Sequence, residues 1–156
     1  MLEKLIRTKN DHGLTIARLV LGIVFLAHGS QKMLGLFGGS GFSATMSFFE
    51  HGMGIPAPLA FLAIAAEFFG GLGLVLGLLG RVAAFGIAVN MLVAIFTVHI
   101  KNGLFMNWSG TQKGEGIEYH LLVLAIAAAV MIGGSGAWSV DGILGESFVA
   151  GPNPIR

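Results

Sequence analysis

The chain has 156 residues, of which 54% are apolar and only 11% charged, with a net charge of +1 and a mean hydropathy of +0.82. Ordinary soluble domains carry about 25% charged residues, so the deficit points to a membrane protein, and the near-neutral charge without a basic tract argues against a nucleic-acid partner. The absence of cysteine excludes a dithiol mechanism, a thiolate-held cluster and covalent haem attachment.

Lys4, Arg7 and Lys9 precede the first apolar run, which extends over about 14–34. That run contains Arg18, leads into His28 and is followed by no A-x-A site, so it reads as a spanning helix rather than a cleaved leader. Gly38-Gly39-Ser40-Gly41 then forms a flexible break. Phe42, Met46 and Phe49 fall at i, i+4, i+7 and predict a short amphipathic helix over about 42–51, lying in the membrane interface. Gly54-Ile55-Pro56 ends it. Pro58 opens the second run, about 57–79, where a missing N–H costs nothing. This run holds Ala66-x-x-x-Gly70 and Gly73-x-x-x-Gly77, small-residue pairs that let a neighbouring backbone approach closely. Gly80 makes a tight turn into the third run, about 81–100. The loop 101–116 carries Phe105 and Trp108, residues suited to the interfacial belt. A fourth run covers about 117–138, and the segment after Trp138 reads as a surface tail.

Each run has roughly 20 residues, enough for a hydrocarbon core of ~30 Å. Barrel strands would show period-2 alternation, and these runs do not. The expected fold is therefore all-α: a single integral-membrane domain over 1–156, built as a four-transmembrane-helix bundle with one interfacial helix. The side holding both termini and the Gly80 turn carries Lys4, Arg7, Lys9, Arg18, Arg81 and Arg156, against Lys32, Lys101 and Lys113 on the other. The excess predicts a multi-pass protein of the bacterial inner membrane with both termini cytoplasmic.

Alternating spans bring His28 and Lys32, Glu67, His99 and Lys101, and Glu118 and His120 toward the outward-facing end. Ionisable groups in hydrocarbon are expensive and mark functional sites by default. Glu67 is the sharpest of them. It lies nine residues after Pro58, about 13 Å into its span, and must be protonated or face a cation. Lys32, His28 and Arg18 are the available partners, and a purely structural ion pair is the competing reading. His28 and Lys32, four residues apart, share a helix face. Arg18 lies about 20 Å from Lys32 along the same helix. It either meets a partner from another helix or snorkels to the inner surface, and snorkelling is the expectation. His99 follows Asn90 by nine residues, which places the two on opposite faces, so they are not expected to share a site. Glu118 opens the fourth span, where the helix dipole favours a carboxylate as readily as a site role does. His120 is expected in the interface. Neither H-x-x-E-H, E-x-x-H nor an i, i+4 histidine pair occurs, so no metal site is expected; His28 and His99 are the depth-matched pair available to a b-type haem.

Several separated motifs resemble the DoxX family of small four-helix bacterial inner-membrane proteins. They are Arg18-Leu19-Val20-Leu21-Gly22, His28-Gly29-Ser30-Gln31-Lys32, the Gly-rich loop with Gly54-Ile55-Pro56, Glu67-Phe68-Phe69-Gly70-Gly71, Gly80-Arg81, His99 with Asn102-Gly103, and Gly116-Ile117-Glu118-Tyr119. The resemblance covers about 16–145. It implies an oxidoreductase component of the membrane: related DoxD-type proteins form a subunit of a thiosulfate:quinone oxidoreductase. Other relatives respond to quinone or oxidative stress, or sit in complexes with superoxide dismutase and a sulfurtransferase. By position, Arg18, His28, Lys32, Glu67, His99 and Glu118 match the family's polar signature, a constellation without an assigned mechanism.

Two functions follow as expectations. The first is a quinone-interacting oxidoreductase component. Glu67, His28, Lys32, His99 and Glu118 would exchange protons or stabilise charge, and Arg18, His28, Glu67 and Trp108 would contact the quinone. Such a chain has no electron carrier of its own and needs a periplasmic or membrane redox partner, or direct oxidation of a small donor. The second is a non-enzymatic scaffold or proton-linked transporter using the same cluster. A haem protein is the third option.

Overall fold

A computed structural model describes residues 2–150, and every regular element among them is helical. The elements are α1 (Leu2–Ile6), α2 (His12–Leu34), α3 (Gly41–Ser47), α4 (Ala57–Leu76), α5 (Gly80–Ala94), α6 (Glu118–Gly133) and α7 (Val140–Ala150). A π-helical turn, Phe48–Gly52, continues α3. A second π turn, Ile95–His99, and a 3₁₀ turn, Ile100–Asn102, continue α5. Three helices are long and apolar enough to cross a membrane: His12–Leu34, Ala57–Leu76 and the composite Gly80–Asn102. α6 is apolar but has 16 residues, about 24 Å. It stops short of the expected 138 because Gly134 and Gly136 turn the chain into the left-handed region, at φ 89° and 75°.

Local chemistry sets the helix ends. Asp11 caps α2, its carboxylate accepting from Leu14 N at 3.0 Å, and Gly35 closes the helix at φ 72°. Pro58 sits in the first turn of α4, and Gly77 ends it at φ 67°. The chain then reverses within three residues into α5.

α2, α4, α5 and α6 form a ring in which each helix packs on the next and α6 returns to α2. Leu21, Phe25, Leu74, Ile87, Met91, Val123 and Val130 fill its middle. Outward-facing Phe85, Phe96, Leu122 and Ile132 are more than half exposed, as lipid-facing side chains are. The tightest seam is α2 against α4. A Cβ added to Gly29 would lie 2.4 Å from Phe68 N, and one on Gly71 would lie 2.4 Å from Leu26 N. The small-residue pairs of the second run do not make this contact. Ala66 and Gly70 face α5, where a Cβ on Gly70 meets nothing closer than 3.5 Å. The two faces predict different outcomes. Gly71→Ala should lower stability by about 1–3 kcal/mol or prevent folding, while Gly70→Ala should be neutral, as read by thermal melting in detergent. Equal melting of the two variants would remove the distinction.

The segment after Trp138 is not a surface tail. It folds as α7, and Asp141, 1% exposed, returns to the bundle. Its carboxylate accepts from Leu79 N at 2.8 Å and Gly80 N at 3.0 Å, capping the start of α5 from a distant part of the chain. Ser135 Oγ donates to it at 2.5 Å. Residues 151–156, including Arg156, lie outside the described residues.

Candidate functional site

At the end of the bundle away from the termini, the ring of helices surrounds a cavity of about 350 Å³. α2 and α4 contribute His28, Lys32 and Glu67 to one side. α5 with its π turn and α6 contribute Asn90, His99, Tyr119 and His120 to the other. Phe49, Met53 and Ile55 from the turn after α3, and Met106 and Glu115 from the loop before α6, close it above. Val93 on α5 and Thr97 on the π turn after it line the cavity and are themselves exposed.

The expected carboxylate–cation meeting is present. Lys32 Nζ donates to Glu67 Oε2, the one ion pair among the described residues. Glu67 is buried, and the Lys32 side chain is 27% exposed. Each charge is thereby balanced where a lone one would cost ~2.5–3.5 kcal/mol. His28 is exposed beside the pair, its ring 6.5 Å from that of Phe25.

His99 and Asn90 line the same cavity, against expectation. The π turn is the reason. Ile100 N donates to Ile95 O, five residues back, so one extra residue is absorbed in that turn. Nine residues at about 100° each would place His99 half a turn from Asn90, whereas the turn removes one step and leaves the two about 80° apart. Asn90 Nδ2 is tied to Ala63 O at 2.8 Å, and His99 Nδ1 bonds Glu115 O at 2.8 Å. His120, expected in the interface, is 5% exposed and packs against His99 with ring centroids 4.2 Å apart. The neighbouring Tyr119 hydroxyl is buried with no hydrogen-bond partner.

Three candidate residues stand apart from the cavity. Glu118 accepts from Met106 N at 2.8 Å and from Trp108 Nε1 at 3.3 Å, so it folds the loop and does not line the cavity. Trp108 is 87% exposed at the loop surface. Arg18 lies at the opposite end of the bundle and does not snorkel. It is 1% exposed. Its guanidinium donates to Ser135 O (2.7 Å), Val75 O (2.9 Å), Trp138 O (3.1 Å) and Leu74 O. These carbonyls lie at and beyond the ends of α4 and α6, where a cation is favoured. Arg81 treats α6 similarly, donating to Met131 O and to Ile132 O at 3.0 Å.

Among the described residues, no group of three or more His, Asp or Glu side chains is arranged to hold a metal ion. Tyr119 and Glu115 were not singled out by pattern, while His120 belonged to the outward-facing polar cluster but was expected in the interface, and Asn90 was expected to face away from His99.

The family comparison agrees with this geometry. Residues 13–100 match the DoxX family model. The chain is 30% identical over 138 residues to the inner membrane protein YqjF of Escherichia coli, covering 88% of this chain and 96% of that one. It is 33% identical over 89 residues to "Putative oxidoreductase CatD" of Bacillus subtilis, covering 57% and 61%. An uncharacterized protein of Haemophilus influenzae is 29% identical over 134 residues, covering 82% and 87%. No solved structure matches. A helical ring with three membrane-length helices, carrying the His28, Lys32 and Glu67 motifs within the matched residues, is a membrane-embedded protein that belongs to the DoxX family.

Proposed function

We propose that the protein is a quinone-interacting component of a membrane oxidoreductase, crossing the bacterial inner membrane four times with both termini cytoplasmic. The observation that carries the reading is the cavity. It combines apolar walls, a balanced Lys32–Glu67 pair and the polar side chains of His28, Asn90 and His99. Small-ligand sites have this make-up, a few placed polar groups in an apolar pocket. The exposure of Val93 and Thr97 on its wall suits a ligand that arrives through lipid. The inner-membrane and oxidoreductase names of two relatives support the assignment.

A quinone ring with its hydrogen-bond acceptors fits these residues. When bound it supplies reversible two-electron chemistry. The chain's own contributions are to bind the ring, exclude water through Phe49, Met53 and Met106, and hold protons at Glu67 and the imidazoles near it. Electrons come from a redox partner or a small donor. Purified protein should bind 1,4-naphthoquinone in a titration, and Glu67→Gln and His28→Ala should each weaken it about tenfold or more. Unchanged affinity in both variants would remove the reading.

The scaffold or proton-linked transporter remains the second reading, favoured by the exposure of His28 and of the loop carrying Trp108. Proteoliposomes that move protons without any quinone response would select it. For the third, His28 and His99 do line one cavity, and a Soret band in the purified protein would establish a b-type haem.

A further inference from the structure

We infer that the α5 wall of the cavity selects the reduced, hydroxyl-bearing form of a quinone ring over the oxidised form, an inference that rests on the quinone reading above. Three polar side chains from α5 and its π turn line the cavity: Asn90, Thr97 and His99. Each of them is bonded to a main-chain carbonyl. Asn90 Nδ2 donates to Ala63 O at 2.8 Å. Thr97 Oγ1 donates to Val93 O at 2.7 Å. His99 Nδ1 bonds Glu115 O at 2.8 Å.

A carbonyl oxygen only accepts, and that fixes the chemistry of the atoms left over. The Asn90 amide must turn its nitrogen to Ala63 O, so Oδ1 is its remaining end. The Thr97 hydroxyl has committed its one hydrogen and keeps its lone pairs. The His99 proton must sit on Nδ1, so in the neutral ring Nε2 is an acceptor. Asn90 Oδ1 and His99 Nε2 make no hydrogen bond among the described residues, and neither is sealed from water as the Tyr119 hydroxyl is. What this wall presents to a guest is therefore lone pairs. A quinone carbonyl set against it brings acceptor to acceptor and leaves both unbonded, which is costly where water is excluded. A ring hydroxyl donates to the same atoms. Its oxygen still accepts, so the reduced ring also suits the Lys32 ammonium on the α2–α4 side. The reduced form meets both walls, whereas the oxidised form meets one.

The test uses the full-length protein in detergent, without oxygen, at about pH 8, where an imidazole is ordinarily neutral. Dissociation constants are measured for 1,4-naphthoquinone, 1,4-naphthohydroquinone and 1,4-dimethoxynaphthalene, the last of which keeps the two oxygens without their hydrogens. Wild type should bind the hydroquinone about tenfold or more tighter than either other ring. Thr97→Val removes one acceptor at an exposed position, and Asn90→Leu removes another. Each should weaken hydroquinone binding several-fold and leave quinone binding unchanged. If Asn90→Leu does not fold, Thr97→Val alone decides. Wild-type binding of the quinone or the dimethoxy ring as tight as that of the hydroquinone overturns the inference and keeps the quinone reading. A hydroquinone preference that both α5 variants retain overturns it too, and loss of that preference in Glu67→Gln then places the hydroxyl on the carboxylate. No binding of any of the three rings overturns both readings.

Discussion

Arg18→Met is expected to abolish folded protein, seen as loss of the monodisperse peak on size-exclusion chromatography in detergent. The side chain is essentially absent from the surface, yet it bonds four main-chain carbonyls from two separate stretches, Leu74–Val75 and Ser135–Trp138. Leu74 O keeps the Gly77 amide as a donor, but removing the guanidinium leaves the Val75, Ser135 and Trp138 carbonyls without the donor they have. Bonds from a charged donor contribute about 1.5–3 kcal/mol each. The total is on the order of 5 kcal/mol or more, comparable to the whole stability of a domain. Arg18→Lys should fail nearly as badly, because a point-like ammonium cannot serve carbonyls that a planar fork reaches together. A well-folded Arg18→Met protein would show that water or a shifted helix replaces the guanidinium.

The second large effect separates structure from function at Glu67. Glu67→Leu alone strands the Lys32 ammonium at the cavity wall, and Lys32→Met alone strands the carboxylate. Removing one partner of a buried pair costs about 3–5 kcal/mol, whereas replacing both with apolar groups of similar size is often neutral. The double variant Lys32→Met/Glu67→Leu should thus melt near the wild-type temperature while each single variant melts far below it. The two readings of the pair part company in what the double variant does. If the pair merely holds α2 to α4, the rescued protein should bind 1,4-naphthoquinone as wild type does. If it is one wall of a binding site, stability returns and affinity does not.

Much of this architecture was legible in the residues. The hydropathy runs located α2, α4, α5 and α6 to within a few positions, and the stripe Phe42, Met46, Phe49 located the helix between the first two. Phe42 does meet Phe61 of α4 edge-on, with centroids 6.2 Å apart. The Glu67–Lys32 contact followed from one rule, that a charge in oil needs a partner. The failures have equally specific causes. Asn90 and His99 were separated by counting at 100° per residue through a stretch that is not α-helical, and no propensity rule signals a π turn inside Ile-Phe-Thr-Val-His. Arg18 was sent to the surface because its partners are main-chain carbonyls, which carry no side-chain label. Asp141 was invisible for the same reason, as its partners are the amides of Leu79 and Gly80. Glu118 was drawn into the site by proximity in sequence, while its carboxylate serves the loop.

The knot of Arg18, Asp141 and Ser135 has a mechanical corollary. It pins the ends of α4 and α6 and the start of α5 to one another with buried bonds, so the four rods are fastened at a single end, like tongs at their pivot. Toward the opposite tips the joins are the Gly29–Phe68 seam, one ion pair, the tilted rings of His99 and His120 and a loop held largely by carboxylates. With α2 and α4 sealed together at Gly29 and Phe68, enlarging the resting chamber would require α5 and α6 to swing away from that pair about the fastened end.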